Sequence, residues 1–304
     1  MPVEIAPPQD EDAIGLEELA ERLREQRLDT RDPDALASAA PLLKRLAKNR
    51  TFLSDIALNE LKSRRNLSAL KNPYGPQSMV LVPPDPGSGA FFVRANVWPS
   101  ASDHILRAGN AEDFLYHAPH DHSFNFLTVG YLGPGYRSRY YEYEYDQVDG
   151  FVGEETPLRF VEESSLSEGR ILLYRAFRDV HDQSPGESLS VSVNIMESSI
   201  RGGFMDQYGF DLEKMELSGI LNRVSAGSLL PILAAVDDGN AADFLNDIAR
   251  THVSGRIRCI ALDAMASAAD SDRAELIYAE GLASAHDQVA GHSRCRLAEI
   301  SSKR

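Results

Sequence analysis

The hydrophobic period of the chain changes twice. Over residues 11–66 apolar residues recur at helical spacing. Leu16, Leu19, Ala20 and Leu23 form one stripe and Leu42, Leu43, Leu46 and Ala47 a second, with charges between them. Residues 52–61 carry a third, and Asp32-Pro33-Asp34 has the chemistry of a helix start. Over 72–196 the period shortens. Segments 80–82, 91–97, 124–131, 139–145, 171–174 and 189–195 read as strands. Turn chemistry separates them at Pro83-Pro84-Asp85-Pro86-Gly87, Gly133-Pro134-Gly135 and Ser184-Pro185-Gly186. From Asp211 onward short amphipathic helices return, at 229–236, 241–249, 256–266, 273–283 and 293–300.

These patterns predict an α+β chain: an N-terminal helical segment (1–71), a central antiparallel β-barrel or sandwich (72–200) and a C-terminal helical domain (211–304). The last region carries a faint internal repeat. His252-Val253-Ser254-Gly255 and His286-Asp287-Gln288 precede helices 34 residues apart, and Leu262 and Met265 match Leu297 and Ile300 at an offset of 35. That period resembles HEAT-like stacked hairpins, which present a surface to a protein partner or to a second copy; an ordinary helical bundle fits the pattern as well.

Composition narrows the function classes. Of 304 residues, 46 are acidic and 31 basic, a formal net charge of −15. Such a chain repels phosphate backbones, so no nucleic acid is expected as a partner. The apolar stretch 217–236 is interrupted by Asn222 and Arg223 and broken by Pro231, so no membrane span is expected. The first twelve residues carry no basic n-region or apolar h-region. Cys259 and Cys295 form no spaced framework and read as buried structural thiols. A cytoplasmic protein with reduced thiols is the expectation.

The chemistry concentrates at His120-Asp121-His122, ahead of the strand-like run 124–131. Residues i and i+2 of a strand face one side, so the two imidazoles point together. His181 follows a second strand-like run at 169–174. Three histidines so placed build a facial metal site with open positions. If the hairpin turns on Pro134, Phe126 opposes Glu142, Phe124 opposes Glu144 and His122 opposes Asp146. Glu142 would then share the histidine face, as a ligand or as a group orienting an imidazole, unless a bulge flips the parity. The alternation Tyr141-Glu142-Tyr143-Glu144-Tyr145 also suits a solvent-facing strand. His104 and His117 read as loop residues; His252, His286 and His292 read as helix-start or surface residues.

The order of these motifs resembles the cupin superfamily. Pro119-His120-Asp121-His122 with Gly133 is similar to its first motif, and Gly169 through His181 to its second. Phe126 and Leu127 stand where most cupins carry a glutamate ligand, which resembles the three-histidine non-haem iron enzymes of the cysteine (thiol) dioxygenase type. That resemblance implies Fe(II) held by His120, His122 and His181, and a substrate-carboxylate arginine at Arg94, where a structural salt bridge is the competing reading. It departs at the strand after the third histidine. Ser190-Val191-Ser192-Val193-Asn194 keeps the serine of that family's relay but has Ser192 and Asn194 in place of its histidine and tyrosine. The family's cysteine–tyrosine crosslink partner is also missing, which puts cysteine as substrate in doubt. The likeness covers about the middle 120 residues.

The expectation is therefore a mononuclear non-haem Fe(II) oxygenase, a dioxygenase or hydroxylase acting on an amino-acid-like or peptidyl substrate. Tyr131, Tyr174 and Gln183 would supply hydrogen bonds in the pocket, and Arg94 and Asn194 would bind substrate. The alternatives are a cupin isomerase or lyase using Mn, Ni or Zn, and a non-enzymatic interaction module.

Overall fold

A computed structural model describes residues 2–6, 12–62, 77–84, 91–236 and 241–302. The boundary at 71/72 and the turn residues Asp85, Pro86 and Gly87 lie outside them. The chain forms two compact units, 1–143 with 158–201, and 144–157 with 202–304.

The first unit opens with a short strand, β1 (Val3–Glu4), and four helices: α1 (Leu16–Glu25), α2 (Pro33–Ala37), α3 (Ala40–Lys48) and α4 (Phe52–Lys62). Asp32 caps α2 by accepting from the Asp34 amide, as its sequence predicts. Eight further strands and one short helix follow: β2 (Ser78–Val82), β3 (Phe91–Trp98), α5 (His104–Ala108), β4 (Phe126–Leu132), β5 (Arg137–Glu142), β6 (Arg159–Ser165), β7 (Ile171–Tyr174), β8 (Asp179–Ser184) and β9 (Ser190–Glu197). They make a six-stranded antiparallel sheet in the order β1-β7-β4-β9-β3-β2 and a three-stranded one in the order β6-β5-β8. Of the barrel and sandwich expected, the described strands make two separate sheets that do not close into a barrel.

Period-2 alternation assigns the two faces of the large sheet. Val93 and Ala95 of β3, Leu127 and Val129 of β4, Ile171 and Leu173 of β7, and Val191, Val193 and Ile195 of β9 form one core with the helices, of which α2 and α3 lie against the sheet. The alternate residues Phe92, Trp98, Phe126, Leu172, Tyr174 and Met196 pack instead with Tyr136 and Tyr140 beside and on the small sheet. Polar Arg94, Asn96, Thr128, Ser192 and Asn194 share that inner face with them. A buried polar wedge between two sheets is costly unless hydrogen-bonded or used, and it marks where the site lies.

The β4–β5 hairpin expected around Pro134 does not form. β4 pairs with β7 and β9, whereas β5 pairs with β6 and β8. The chain leaves one sheet for the other through Gly133 and Gly135, both left-handed (φ +80° and +81°). A Cβ would meet the Leu189 carbonyl at 2.4 Å from Gly133 and the Leu166 carbonyl at 2.1 Å from Gly135. Neither position admits another residue without backbone movement.

The second unit holds a hairpin, β10 (Tyr208–Asp211) and β11 (Glu216–Ile220), where helices were expected to begin. Five helices follow, α6 (Ala226–Val236), α7 (Ala241–Thr251), α8 (Gly255–Ser267), α9 (Ser271–Leu282) and α10 (Asp287–Ser302), around a core of Leu230, Leu245, Ala261, Leu262, Ile277 and Val289. Cys259 lies buried in α8, its thiol pushed up to about 12 by burial, as befits a structural thiol. His292, expected at a helix start or on the surface, sits inside α10 and bonds the Asp263 carboxylate at 2.9 Å. Among the described residues no helix is long and apolar enough to cross a membrane.

Candidate metal centre

His120 and His122 precede β4 rather than lie on it. Pro119 biases Ala118 toward extended backbone, and the Ala118 carbonyl meets His120 Nδ1 at 2.6 Å. His120 and His181 of β8 then exchange two backbone hydrogen bonds, at 3.1 and 3.0 Å, in an isolated antiparallel bridge. The His122 carbonyl accepts from the Phe177 amide at 2.8 Å. Asp121 is buried and accepts from the Tyr143 hydroxyl at 2.7 Å. The i, i+2 convergence thus arises from an extended segment bridged to the small sheet, not from a strand of the large one.

The three imidazoles each offer a ligand nitrogen, all within 4.8 Å of one another. Their ring centroids stand 4.5, 4.9 and 5.0 Å apart. All three rings are buried. Burial holds His122 and His181 well below the usual imidazole range, and the neighbouring rings add to this. His120 is lowered too, burial outweighing its carbonyl partner. Neutral rings keep a lone pair for a metal.

The donor set fits a transition metal. With Nδ1 of His120 donating to Ala118, its Nε2 presents a lone pair to His181 Nε2 at 3.2 Å. Two such nitrogens need a proton or a cation between them, and the third imidazole favours a cation. Nδ1 of His122 and Nδ1 of His181 are buried without a hydrogen-bond partner. Three neutral imidazoles suit iron, zinc, nickel or copper.

A cavity of about 80 Å³ opens beside them. Arg94 from β3, Asn194 from β9 and Gln183 from β8 line it. The Asn194 Oδ1 is taken by the Thr128 hydroxyl at 2.5 Å, and the Asn96 Oδ1 by the Ser78 hydroxyl at 2.8 Å. Tyr174 lies behind the lining, its ring 5.1 Å from His181 and its hydroxyl donating to Tyr140 at 3.2 Å. Burial pushes the phenols of Tyr174, Tyr136 and Tyr140 up, so they stay protonated.

Two expected site residues lie elsewhere. Tyr131 belongs to the opposite face of the large sheet, where it packs on Phe52 and donates to the Asn49 carbonyl at 3.1 Å. Glu142 ends β5 opposite Asp179 and bonds Arg159 and Arg175 at 2.5 and 2.7 Å, with Arg178 at 3.7 Å. The hairpin that would have turned it toward His122 is absent, and the histidine cluster is found without it. Sequence reasoning missed Asn96, Trp98 and Tyr136, which also line the cavity. Asn96 and Trp98 carried a signal, since they follow Arg94 at spacings of two along β3. Tyr136, just before β5, carried none.

No family model matches the chain, and no curated protein does. Solved structures match over part of it. Vicilin from Solanum melongena is 13% identical with a TM-score of 0.28, over 50% of this chain and 34% of that one. A cupin domain from Bordetella pertussis Tohama I is 13% identical with a TM-score of 0.23, over 43% of this chain and all of that one. A structure of DMSP lyases is 11% identical with a TM-score of 0.24, over 64% of this chain and 82% of that one. This chain spans about a third of the vicilin. At these scores none of the three carries an argument about its activity.

Proposed function

We propose that this chain is a cupin-like, mononuclear non-haem Fe(II) oxygenase acting on a small amino-acid-like acid. The observation that carries the reading is the buried, neutral histidine trio opening onto a polar cavity. His120, His122 and His181 would hold the metal. Bound there, Fe(II) supplies a Lewis acid and a redox centre with open positions for substrate and dioxygen. Arg94 grips the substrate carboxylate through its planar donors. Asn194 and Gln183 orient the rest of the molecule, and Tyr174 braces the His181 ring from behind. The surrounding aromatic core of Phe126, Trp98 and Tyr136 excludes bulk water, which strengthens each polar contact made inside.

A second reading follows from the donor set itself. Three imidazoles without a carboxylate serve Zn, Ni or Mn equally well, and an isomerase or lyase on this site would need no oxygen. In either case a protein partner or second copy would engage the helical region, which resembles HEAT-like repeats and where Leu229, Ile232 and Val236 of α6 are exposed.

Oxygen uptake separates the two. Protein reconstituted anaerobically with Fe(II) is expected to consume oxygen only when one of a panel of small amino, hydroxy and thiol acids is added. Substrate turnover at equal rates with and without oxygen would replace the oxygenase by the isomerase or lyase.

A further inference from the structure

The segment that brings Leu115 to the cavity has an unusual backbone. Leu115 and His117 are both left-handed, at φ +58° and +57°, and neither is glycine. Tyr116 between them is fully buried, donating its hydroxyl to the Pro99 carbonyl at 2.9 Å and its amide to the Ala111 carbonyl at 3.2 Å. The His117 amide donates to the Gln183 carbonyl at 2.8 Å, and Tyr116 bridges Gln183. Leu115 is thus pinned immediately C-terminal to itself. Leu115 lines the cavity together with His120 and His122 yet is 43% exposed, which places it at the cavity's rim. A bulky residue persists in this region only where its surroundings over-determine it, and such positions cluster at ligand clamps.

The cavity behind Leu115 is about 80 Å³. An engineered apolar cavity of roughly 150 Å³ in another protein holds benzene. The space beside the histidines is smaller than that. Arg94, Asn96 and Asn194, whose side chains all carry N–H donors, are among its lining residues.

We propose that Leu115 is the size-selecting residue of the metal centre and that the substrate is a small, acceptor-rich molecule, not a peptidyl one. This deepens the metal-enzyme reading above and rests on it.

The test uses the full chain as wild type, Leu115→Gly and Leu115→Phe. Glycine accepts the left-handed backbone and removes the side chain; phenylalanine enlarges it. Metal-free protein is treated with diethyl pyrocarbonate, and modification of His120, His122 and His181 is followed by peptide mass spectrometry, with exposed His104 as internal reference. Cobalt(II)-loaded protein is titrated with azide and with imidazole, read by visible absorption. Leu115→Gly is expected to modify the trio at least tenfold faster with His104 unchanged. Its imidazole Kd falls at least tenfold while the azide Kd moves less than threefold. Leu115→Phe moves both readouts the other way, and the Tm of Leu115→Gly is no lower than that of wild type. Rates and affinities within twofold of wild type in both variants would overturn the proposal. So would equal tightening of azide and imidazole, which marks a loosened fold rather than a size limit. Failure of wild type to bind cobalt would overturn the metal reading instead, and the carbethoxylation rates would still decide whether Leu115 guards the histidines.

Discussion

Asn125→Ala is expected to loosen the histidine loop while leaving the sandwich folded. Asn125 is buried at the end of the segment that carries His120 and His122. Its Nδ2 donates to the Thr30 and Arg31 carbonyls at 3.1 and 3.0 Å, and its Oδ1 accepts from the Ala176 amide at 2.7 Å. Its backbone is held as well, donating to Glu197 Oε2 at 2.8 Å, while the Glu197 amide donates back to its carbonyl at 2.9 Å. Glu197 is fully buried and paired with Arg201 at 2.5 Å. Alanine removes the three side-chain bonds and keeps the backbone pair. The Thr30 carbonyl is buried and the other two partners are near water, so losses of about 1–3 kcal/mol for the first and about 1 kcal/mol for each other give about 3–5 kcal/mol. A domain in the middle or upper part of the usual range of about 5–15 kcal/mol survives this. Urea unfolding is expected to show a lower midpoint at unchanged slope, and cobalt(II) titration an affinity at least tenfold weaker, because the His122 segment loses one of its two ties to the β7–β8 turn and keeps only that from the Phe177 amide. Asn125→Asp keeps the acceptor, loses both donors and sets a carboxylate beside Glu197, so it is expected to match alanine at pH 7. A stability change below about 1 kcal/mol, or unchanged cobalt affinity, would refute this reasoning.

Other outcomes follow from the same geometry. Metal-free protein is expected to lose stability as pH falls below about 6.5, because the unfolded chain protonates imidazoles that burial keeps neutral in His120, His122 and His181. Urea midpoints at pH 7.5 and 5.5 read this, and a His181→Ala variant with the same pH slope as wild type would contradict it. Tyr131→Phe and Glu142→Gln are expected to leave metal content unchanged, with Tyr131→Phe costing about 0.5–1.5 kcal/mol for its bond to the Asn49 carbonyl. Metal loss in either would sink the placement of those residues outside the centre. Asp263→Asn is expected to lower the melting temperature, since Asp263 accepts from Tyr278, His292 and Arg296. Burial raises the Asp263 carboxyl, but His292 and Arg296 outweigh it and hold the group below the usual range. Its contribution is therefore present above about pH 4 and lost below; a calorimetric difference between wild type and variant that persists undiminished at pH 3 would contradict this.

Strand alternation made the large sheet legible. In β9 the apolar Val191, Val193 and Ile195 alternate with Ser192 and Asn194, and that pattern also separates helix-facing from cavity-facing residues. The same parity places Tyr131 with Leu127 and Val129, away from the site. β8 was not legible as a strand. Its sequence, Asp179-Val180-His181-Asp182-Gln183-Ser184, has almost no apolar residue, because its inward positions serve the cavity and its outward Asp182 pairs with Arg139. The histidine trio could be read from spacing, although the bridge to His181 converges it rather than a shared strand. The hairpin behind the parity argument for Glu142 fails for a tertiary reason. Gly-Pro-Gly reads as a hairpin turn locally, and only the close approach of the Leu166 and Leu189 carbonyls turns it into a crossing between sheets.

The central claim is a metal bound by His120, His122 and His181, and its most direct test is metal content. Mass spectrometry would be run on untagged protein prepared without chelators, beside His122→Ala and His181→Ala variants of confirmed fold. The expected result is about one iron per chain in wild type and none in either variant. Wild type that holds no metal even after anaerobic Fe(II) loading, or variants that keep it, would contradict the claim.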